Sequence, residues 1–236
     1  MNVLAFDTCL GAVSVAVGWR RDGGDWTAHH AFEARTAGHA ERLPPMIAEV
    51  MATAGISFAD LARIVVTVGP GTFTGVRTGV AAARALSLAS GVPVAGVSSL
   101  AAIAAAARAR LAAEGGTAPP LAVAVDARRG DVYWQRFAGT EGGAADGPAI
   151  LGVADALKQA LAMPPGAVVV GSGAGLLRDA AASNGRSLDI RLGSIEPDAR
   201  VLLEGAADLP LLDCVTPLYL RAPDAKPQTG KSLPRA

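Results

Sequence analysis

One pattern occurs twice in this chain: a buried strand that ends in aspartate, a turn, and an antiparallel partner strand. In the first half, residues 3–7 form the buried strand and residues 12–19 form its alternating partner. In the second half, residues 121–126 and 131–137 repeat the pattern around the turn 128–130. A chain built this way is expected to form two related α/β lobes.

The segments between the two copies complete the first lobe. Apolar residues at helical spacing predict a helix over 43–54, and Thr72 or Thr74 can cap the next one. The turn-rich stretch 115–120 is the best candidate for a boundary between lobes. We therefore expect one lobe over 1–115 and a second over 116–236, and we leave open that the last segment packs back on the first lobe.

This duplication resembles the architecture of the actin, sugar-kinase and heat-shock-chaperone superfamily, whose two hairpins clasp the phosphates of ATP. It implies an α/β, two-lobed, actin-like ATPase (ribonuclease H-like) fold, which does not by itself fix the function. The cofactor-binding candidates lie at the strand ends: Asp7, Asp126 and Arg128. Asp7 can position magnesium or satisfy turn backbone, whereas Asp126 and Arg128 can contact a nucleotide or form a surface ion pair. Cys9 stands where ATP-using members have glycine, so we expect no strong nucleotide binding by the chain alone.

Composition favours neither a charged partner nor a metal. Lys plus Arg and Asp plus Glu both number 21, so no net field draws the chain to nucleic acid or to an acidic membrane. The two cysteines lie far apart, and no two of the three histidines have the spacing of a metal site. No Ser-His-Asp set is visible. We expect a cytoplasmic protein with no signal peptide, membrane span, metal site or catalytic residues of its own.

The stretch 69–90, GPGTFTGVRTGVAAARALSLAS, is the most informative segment. It leads from strand to helix like a phosphate loop, but five residues separate Gly69 from Gly75 and no lysine follows. The helix is small or apolar on more than one side, which predicts burial on more than one side. One lobe offers too few elements to cover it, so we infer a protein partner. Gly79→Arg should then block pairing and leave the fold largely intact.

Five segments carry a resemblance to a known family. They are LAFDT…VSVAV at 4–17, HAERLPPMI at 39–47, GPGTFTGVRTGVAAARAL at 69–86, VDARRGDVYWQRF at 125–137 and PLYLR at 217–221. They resemble TsaB (YeaZ), a bacterial family whose members pair with the catalytic relative TsaD and the ATPase TsaE. Together these install threonylcarbamoyl on the adenosine beside the anticodon in tRNAs that read ANN codons. The resemblance implies a non-catalytic subunit, because the catalytic relative carries an HxxxH metal motif that this chain lacks.

The resemblance also implies a pairing surface on the two helices of the first lobe. The residues expected there are Leu43, Ile47, Val50, Met51, Gly75, Thr78, Gly79, Ala82 and Leu86. The same surface is expected to give a homodimer when the partner is missing, and tRNA is expected to bind only through the complex. A nucleotide at the partner junction is left open. The alternative is a stand-alone enzyme of the superfamily, a kinase or a metallopeptidase-like hydrolase; a TsaD-like transferase acting alone is a third reading.

Overall fold

The computed structural model describes residues 1–21, 24–114, 119–139 and 143–221, and two five-stranded sheets run through this part of the chain. The strands of the first sheet are β1 (Asn2–Asp7), β2 (Ala12–Trp19), β3 (Thr27–Ala34), β4 (Arg63–Thr67) and β5 (Val94–Val97). Those of the second are β6 (Leu121–Asp126), β7 (Asp131–Phe137), β8 (Ala149–Gly152), β9 (Val168–Val170) and β10 (Asp189–Ile190). The helices are α1 (His39–Ala54), α2 (Phe73–Ser90), α3 (Ser99–Ala113), α4 (Val153–Leu161), α5 (Ala174–Ser183) and α6 (Val201–Glu204), with a 3-10 turn at Phe58–Asp60.

The two sheets share one connectivity. Their strand orders are β3-β2-β1-β4-β5 and β10-β9-β6-β7-β8. In each, the first strand pairs antiparallel with the second and parallel with the fourth. The duplicated α/β architecture predicted from the repeat is confirmed. The predicted boundary falls at residues 115–118, outside the described residues, so the division at 115/116 stays a prediction.

The last described segment packs on the first sheet rather than on the second. The amide of Leu212 donates to the carbonyl of Val94 at 2.9 Å, and the amide of Leu218 donates to that of Val68 at 2.7 Å. Val215 is buried in the core that α1 and α2 form with this sheet. The chain therefore returns to its first half before residue 221, passing along the side of α2.

The apolar face of α1 is covered by its own chain. Leu43, Ile47, Val50 and Met51 are 0 to 5% exposed and belong to the core that α1 forms with the first sheet. The expectation that these four side chains face a partner is therefore corrected, because the amphipathic pattern of α1 records packing against the sheet. The solvent face of α1 carries instead Ala40, Pro44, Pro45, Ala48 and Ala52.

The glycines of α2 also face inward. A Cβ on Gly75 would lie 2.1 Å from the carbonyl oxygen of Thr8, and one on Gly79 would lie 2.8 Å from the Thr8 hydroxyl. These two positions are small because the turn after β1 approaches the helix backbone, so their assignment to a partner contact is also corrected. The Gly79→Arg expectation fails for the same reason: the side chain would enter the core. Thr72, one of the two predicted caps, accepts the amide of Gly75 at 3.2 Å.

Gly75→Ala should destabilise the fold, because the added methyl group cannot avoid the Thr8 backbone. Forcing atoms into a packed contact of this kind typically costs about 1 to 3 kcal/mol. Urea unfolding of Gly75→Ala should show that loss, whereas Gly147→Ala, where the added Cβ meets nothing within 4 Å, should change stability by less than about 0.5 kcal/mol. Equal stability of the two variants would contradict this account of the motif.

Candidate functional site

A cleft of about 420 Å³ opens where the turns after β1 and β6 face each other. Its lining comes from both halves of the chain: Leu10, Gly11, Thr36, Gly71, Thr72, Val125, Asp126, Ala127, Arg128, Tyr133, Ser172 and Glu196. Nucleotide-binding members of the superfamily hold their phosphates between these turns. The residues at the turns therefore decide whether the cleft suits such a ligand.

Asp7 is fully buried at the end of β1, beneath the first turn. Its Oδ1 accepts the amide of Cys9 at 3.2 Å and the hydroxyl of Thr67, while Oδ2 has no hydrogen-bond partner among the described residues. Burial, with a small contribution from the charge of Glu196, raises the pKa of Asp7 to about 7, against the hydrogen bonds from Thr67 and Cys9, which lower it. Asp7 therefore satisfies turn backbone, one of its two predicted roles, and has no exposed oxygen with which to hold a metal.

Cys9 fills the turn where a phosphate would approach. Its thiol donates to the Thr67 hydroxyl oxygen at 3.2 Å, and the side chain is fully buried. Burial, with the charge of Asp7, raises the pKa of the Cys9 thiol well above its ordinary value. The thiol stays protonated, so it is neither a nucleophile nor a metal ligand.

Glu196 accepts a hydrogen bond from a backbone amide of the first turn. The amide of Gly11 donates to Glu196 Oε2 at 3.1 Å, across 185 positions of sequence. Burial raises the pKa of Glu196, and the bond from Gly11 opposes that rise. A carboxylate thus already takes the backbone N–H that a phosphate oxygen would need. The residues present do not fit the polyphosphate that the fold family implies.

Asp126 and Arg128 form a local pair at the second turn. Asp126 accepts the Arg128 amide at 2.7 Å, and their side chains meet at 3.3 Å, with that of Arg128 85% exposed. Asp126 donates its own amide to Ser172 Oγ, within the glycine-rich stretch before α5. The two residues point to one face and pair, as their spacing predicts. Such exposed pairs contribute little to stability.

A second concavity, of about 570 Å³, runs between α1 and α2 on the surface of the first sheet's layer. It is lined by Ala40, Leu43, Pro44, Phe73, Thr74, Arg77, Thr78, Ala81 and Ala82. We refer to this as the α1/α2 groove. Of the predicted pairing residues, Leu43, Thr78 and Ala82 line it; Leu43 is buried, Thr78 and Ala82 are partly exposed, and Leu86 is partly exposed one turn beyond.

The sequence analysis missed the outer face of α2. Phe73 is 55% exposed and Leu88 is 90% exposed, and Arg77, Ala81 and Arg84 lie between them on the same face. The signal was available, since 73, 77, 81, 84 and 88 follow helical spacing on a face beside that of the buried Val76, Val80 and Ala83. The prediction placed the small residues of α2 against the partner, and this exposed face was therefore left out of it.

Two further findings concern metal ions and membranes. Across residues 1–21, 24–114, 119–139 and 143–221, no group of three His, Cys, Asp or Glu side chains could hold a metal ion. In the same ranges, no helix has both the length and the apolar character to cross a bilayer.

Asp7 makes stability depend on pH. Its folded pKa lies above the value of about 4 in an unfolded chain, so the folded state holds the proton more tightly and loses stability as pH rises from about 4 to about 7. Asp7→Asn removes this dependence. The free energy of unfolding of the variant relative to the original chain should rise by on the order of 4 kcal/mol across that window. Urea unfolding from about pH 4 to about pH 8 measures it; a difference that stays constant with pH would contradict the buried carboxyl.

Comparison with known proteins places the fold and its motifs in one family. The family model for TsaD, described as tRNA N6-adenosine threonylcarbamoyltransferase, matches residues 33–182. An uncharacterized protein of Mycobacterium tuberculosis is 37% identical over 231 residues, 96% of this chain and 94% of that protein. The tRNA threonylcarbamoyladenosine biosynthesis protein TsaB of Escherichia coli is 36% identical over 143 residues, 61% of this chain and 58% of that protein.

A solved structure agrees with these sequence matches. YeaZ from Pseudomonas aeruginosa superposes with a TM-score of 0.75 at 27% identity, covering 93% of this chain and 99% of that one. The resemblance inferred from the five sequence segments is thereby confirmed. The chain belongs to the TsaD family and is a homologue of its TsaB (YeaZ) members, with their actin-like fold.

Proposed function

We propose that this chain is a non-catalytic pairing subunit required for threonylcarbamoyl transfer to the adenosine beside the anticodon in tRNAs that read ANN codons. The observation that carries the proposal is the α1/α2 groove, an apolar concavity lined in part by the exposed Phe73, with the exposed Leu88 further along the same face of α2. Exposed apolar surface of this kind is typical of a protein contact. The pathway comes from the names of the Escherichia coli and Haemophilus influenzae relatives, which are tRNA threonylcarbamoyladenosine biosynthesis proteins.

The non-catalytic role is supported by the state of the cleft. Cys9 is buried, Glu196 takes the amide of Gly11, and Arg128 is paired with Asp126. These groups already have partners within the chain. The catalytic chemistry is then supplied by a TsaD-like relative, which the groove receives.

The other partners follow from this assignment and remain proposals. A TsaE-like ATPase and tRNA join through the complex, and two copies of this chain associate through the groove when the relative is missing. Any nucleotide binds at the junction with the relative, because the cleft of this chain does not fit one by itself. Its place of action is the cytoplasm.

A charged side chain in the middle of the groove should prevent pairing. Ala81 is exposed on α2 and lines the groove, so Ala81→Arg adds bulk and charge there without entering the core. Binding to the TsaD-family protein of the same organism, measured by light scattering and calorimetry, should weaken by at least about 100-fold, because apolar contacts at the centre of an interface carry most of its binding energy. Ala182→Arg, an exposed position on α5, is the matched control and should bind normally. Normal binding by Ala81→Arg would remove the groove as the pairing surface.

The cellular role has its own measurement. Depleting this protein should lower the threonylcarbamoyladenosine content of tRNA, measured by mass spectrometry of nucleosides, and Ala182→Arg should restore it while Ala81→Arg does not. Unchanged modification after depletion would contradict the proposed pathway.

The alternative, a stand-alone kinase or hydrolase of the superfamily, makes the opposite prediction for the isolated chain. The filled first turn predicts no measurable binding of ATP below millimolar concentration, and no turnover, in calorimetry and phosphate-release assays. Robust turnover that Asp7→Asn abolishes would favour the alternative over the pairing subunit.

A further inference from the structure

Two arginines lie on the outer face of α2 and are not neutralised by their own helix. Arg77 and Arg84 are seven residues apart, which places them on one face, and α2 contains no Asp or Glu. Arg77 lines the α1/α2 groove, and Arg84 lies one turn beyond Ala81, which also lines it. The wall of the groove formed by α2 therefore carries positive charge.

Arg77 is held in place by aromatic rings. Its guanidinium lies 3.7 Å from the centroid of Phe73 and 6.0 Å from that of Tyr219, and its Nε donates to the Tyr219 hydroxyl at 2.9 Å. Phe73 and Tyr219 stack with centroids 5.9 Å apart. A guanidinium fixed on aromatic faces loses less conformational freedom when it binds a further group.

Arg84 is held by one backbone contact, its Nε donating to the carbonyl of Val215 at 2.7 Å. In the part of the chain that the structure describes, no carboxylate pairs with Arg84 or with Arg77. The α1 helix differs, because its arginine, Arg42, lies outside the lining of the groove and makes a bidentate pair with Glu49, at 2.9 and 3.0 Å, and a further bond to Glu33. The positive charge of α1 is satisfied within the chain, and that of α2 is not.

We propose that Arg77 and Arg84 select the occupant of the groove: a protein partner that presents a carboxylate-bearing helix to the outer face of α2. The proposal rests on the pairing function above and adds the chemistry of the partner. An arginine stacked on aromatic rings beside an apolar groove is the composition found at energetic centres of protein interfaces. Its fork of N–H donors matches a carboxylate in two-point contact.

The same charges disfavour a second copy of this chain. A twofold interface uses one patch on both subunits, so self-pairing would bring the same two arginines of each copy into a single interface. Of the two acids on α1, Glu41 does not line the groove, and Glu49 is already held by Arg42 and would have to be released. Like charges in one interface reduce affinity, so the two arginines favour an acidic partner over the chain itself.

The test measures the dissociation constant for the TsaD-family protein of the same organism. Arg77→Glu should raise it at least about 30-fold and Arg84→Glu about 10-fold, because each reverses a charge that pairs across the interface. Arg77→Lys, which keeps the charge, should lose less than Arg77→Glu. Binding by the original chain should weaken as salt rises, and Arg178→Glu on α5 is the matched control that should bind normally.

Folding is checked first, since Arg77 contacts Phe73 and Tyr219. Arg77→Gln and Arg77→Glu should unfold at similar temperatures, so that a larger loss of binding by the glutamate variant reports charge. If both charge reversals bind normally while Ala81→Arg does not, the acidic partner is wrong and the pairing surface stands. If Ala81→Arg also binds normally, the pairing function itself fails at this groove.

Two other occupants give distinct results, and each would overturn the proposal. If sedimentation shows a dimer of the original chain that Arg77→Glu abolishes, with affinity for the TsaD-family protein unchanged, the groove receives a second copy. If the isolated chain binds unmodified tRNA in a gel shift and Arg77→Glu alone removes that binding, the arginines serve a nucleic-acid backbone.

Discussion

The backbone of the turn after β1 lies directly against the first turns of α2. The Thr8 hydroxyl donates to the carbonyl of Gly75 at 2.7 Å, and the amide of Thr72 donates to the carbonyl of Cys9 at 2.8 Å. Only glycine at 71 and 75 permits this approach, since a Cβ at either position would lie within 2.2 Å of a carbonyl oxygen. The contact fixes α2 relative to the first sheet. Because the N-cap of α2, Thr72, borders the cleft and the helix itself borders the groove, the contact sets the geometry of both.

The segment after α6 extends this arrangement across the molecule. Leu218 pairs with Val68 beside α2, Tyr219 contacts Arg77, and Arg221 reaches Asp131 at 2.5 Å next to the turn after β6. A short stretch of chain therefore supports the exposed cluster at the groove and one wall of the cleft. Displacing this segment would alter both surfaces together, because one short stretch of chain contacts both.

The fold could be predicted from the sequence, but the exposed surfaces could not. The strands ending in Asp7 and Asp126 were visible because alternation and turn residues are local signals. The glycines of α2 predict a close approach of another backbone, but a single sequence does not say whether a partner helix or the chain's own turn makes that approach. The same ambiguity affected Leu43, whose helical spacing predicts burial without naming what buries it. Glu196 could not be found at all, since its role depends on a contact with Gly11 made only in the folded chain.

The two concavities differ in how their polar groups are satisfied, and the roles proposed for them rest on this difference. In the cleft, Cys9 donates to Thr67, Glu196 accepts from Gly11 and Asp126 pairs with Arg128. A ligand entering there would have to break bonds that the chain already makes, and each broken bond costs affinity unless the ligand replaces it. In the groove, Arg77 and Arg84 keep hydrogen-bonding capacity beside exposed apolar side chains. A partner would gain contacts there without breaking bonds of this kind, which supports the proposed pairing at the outer face of α2.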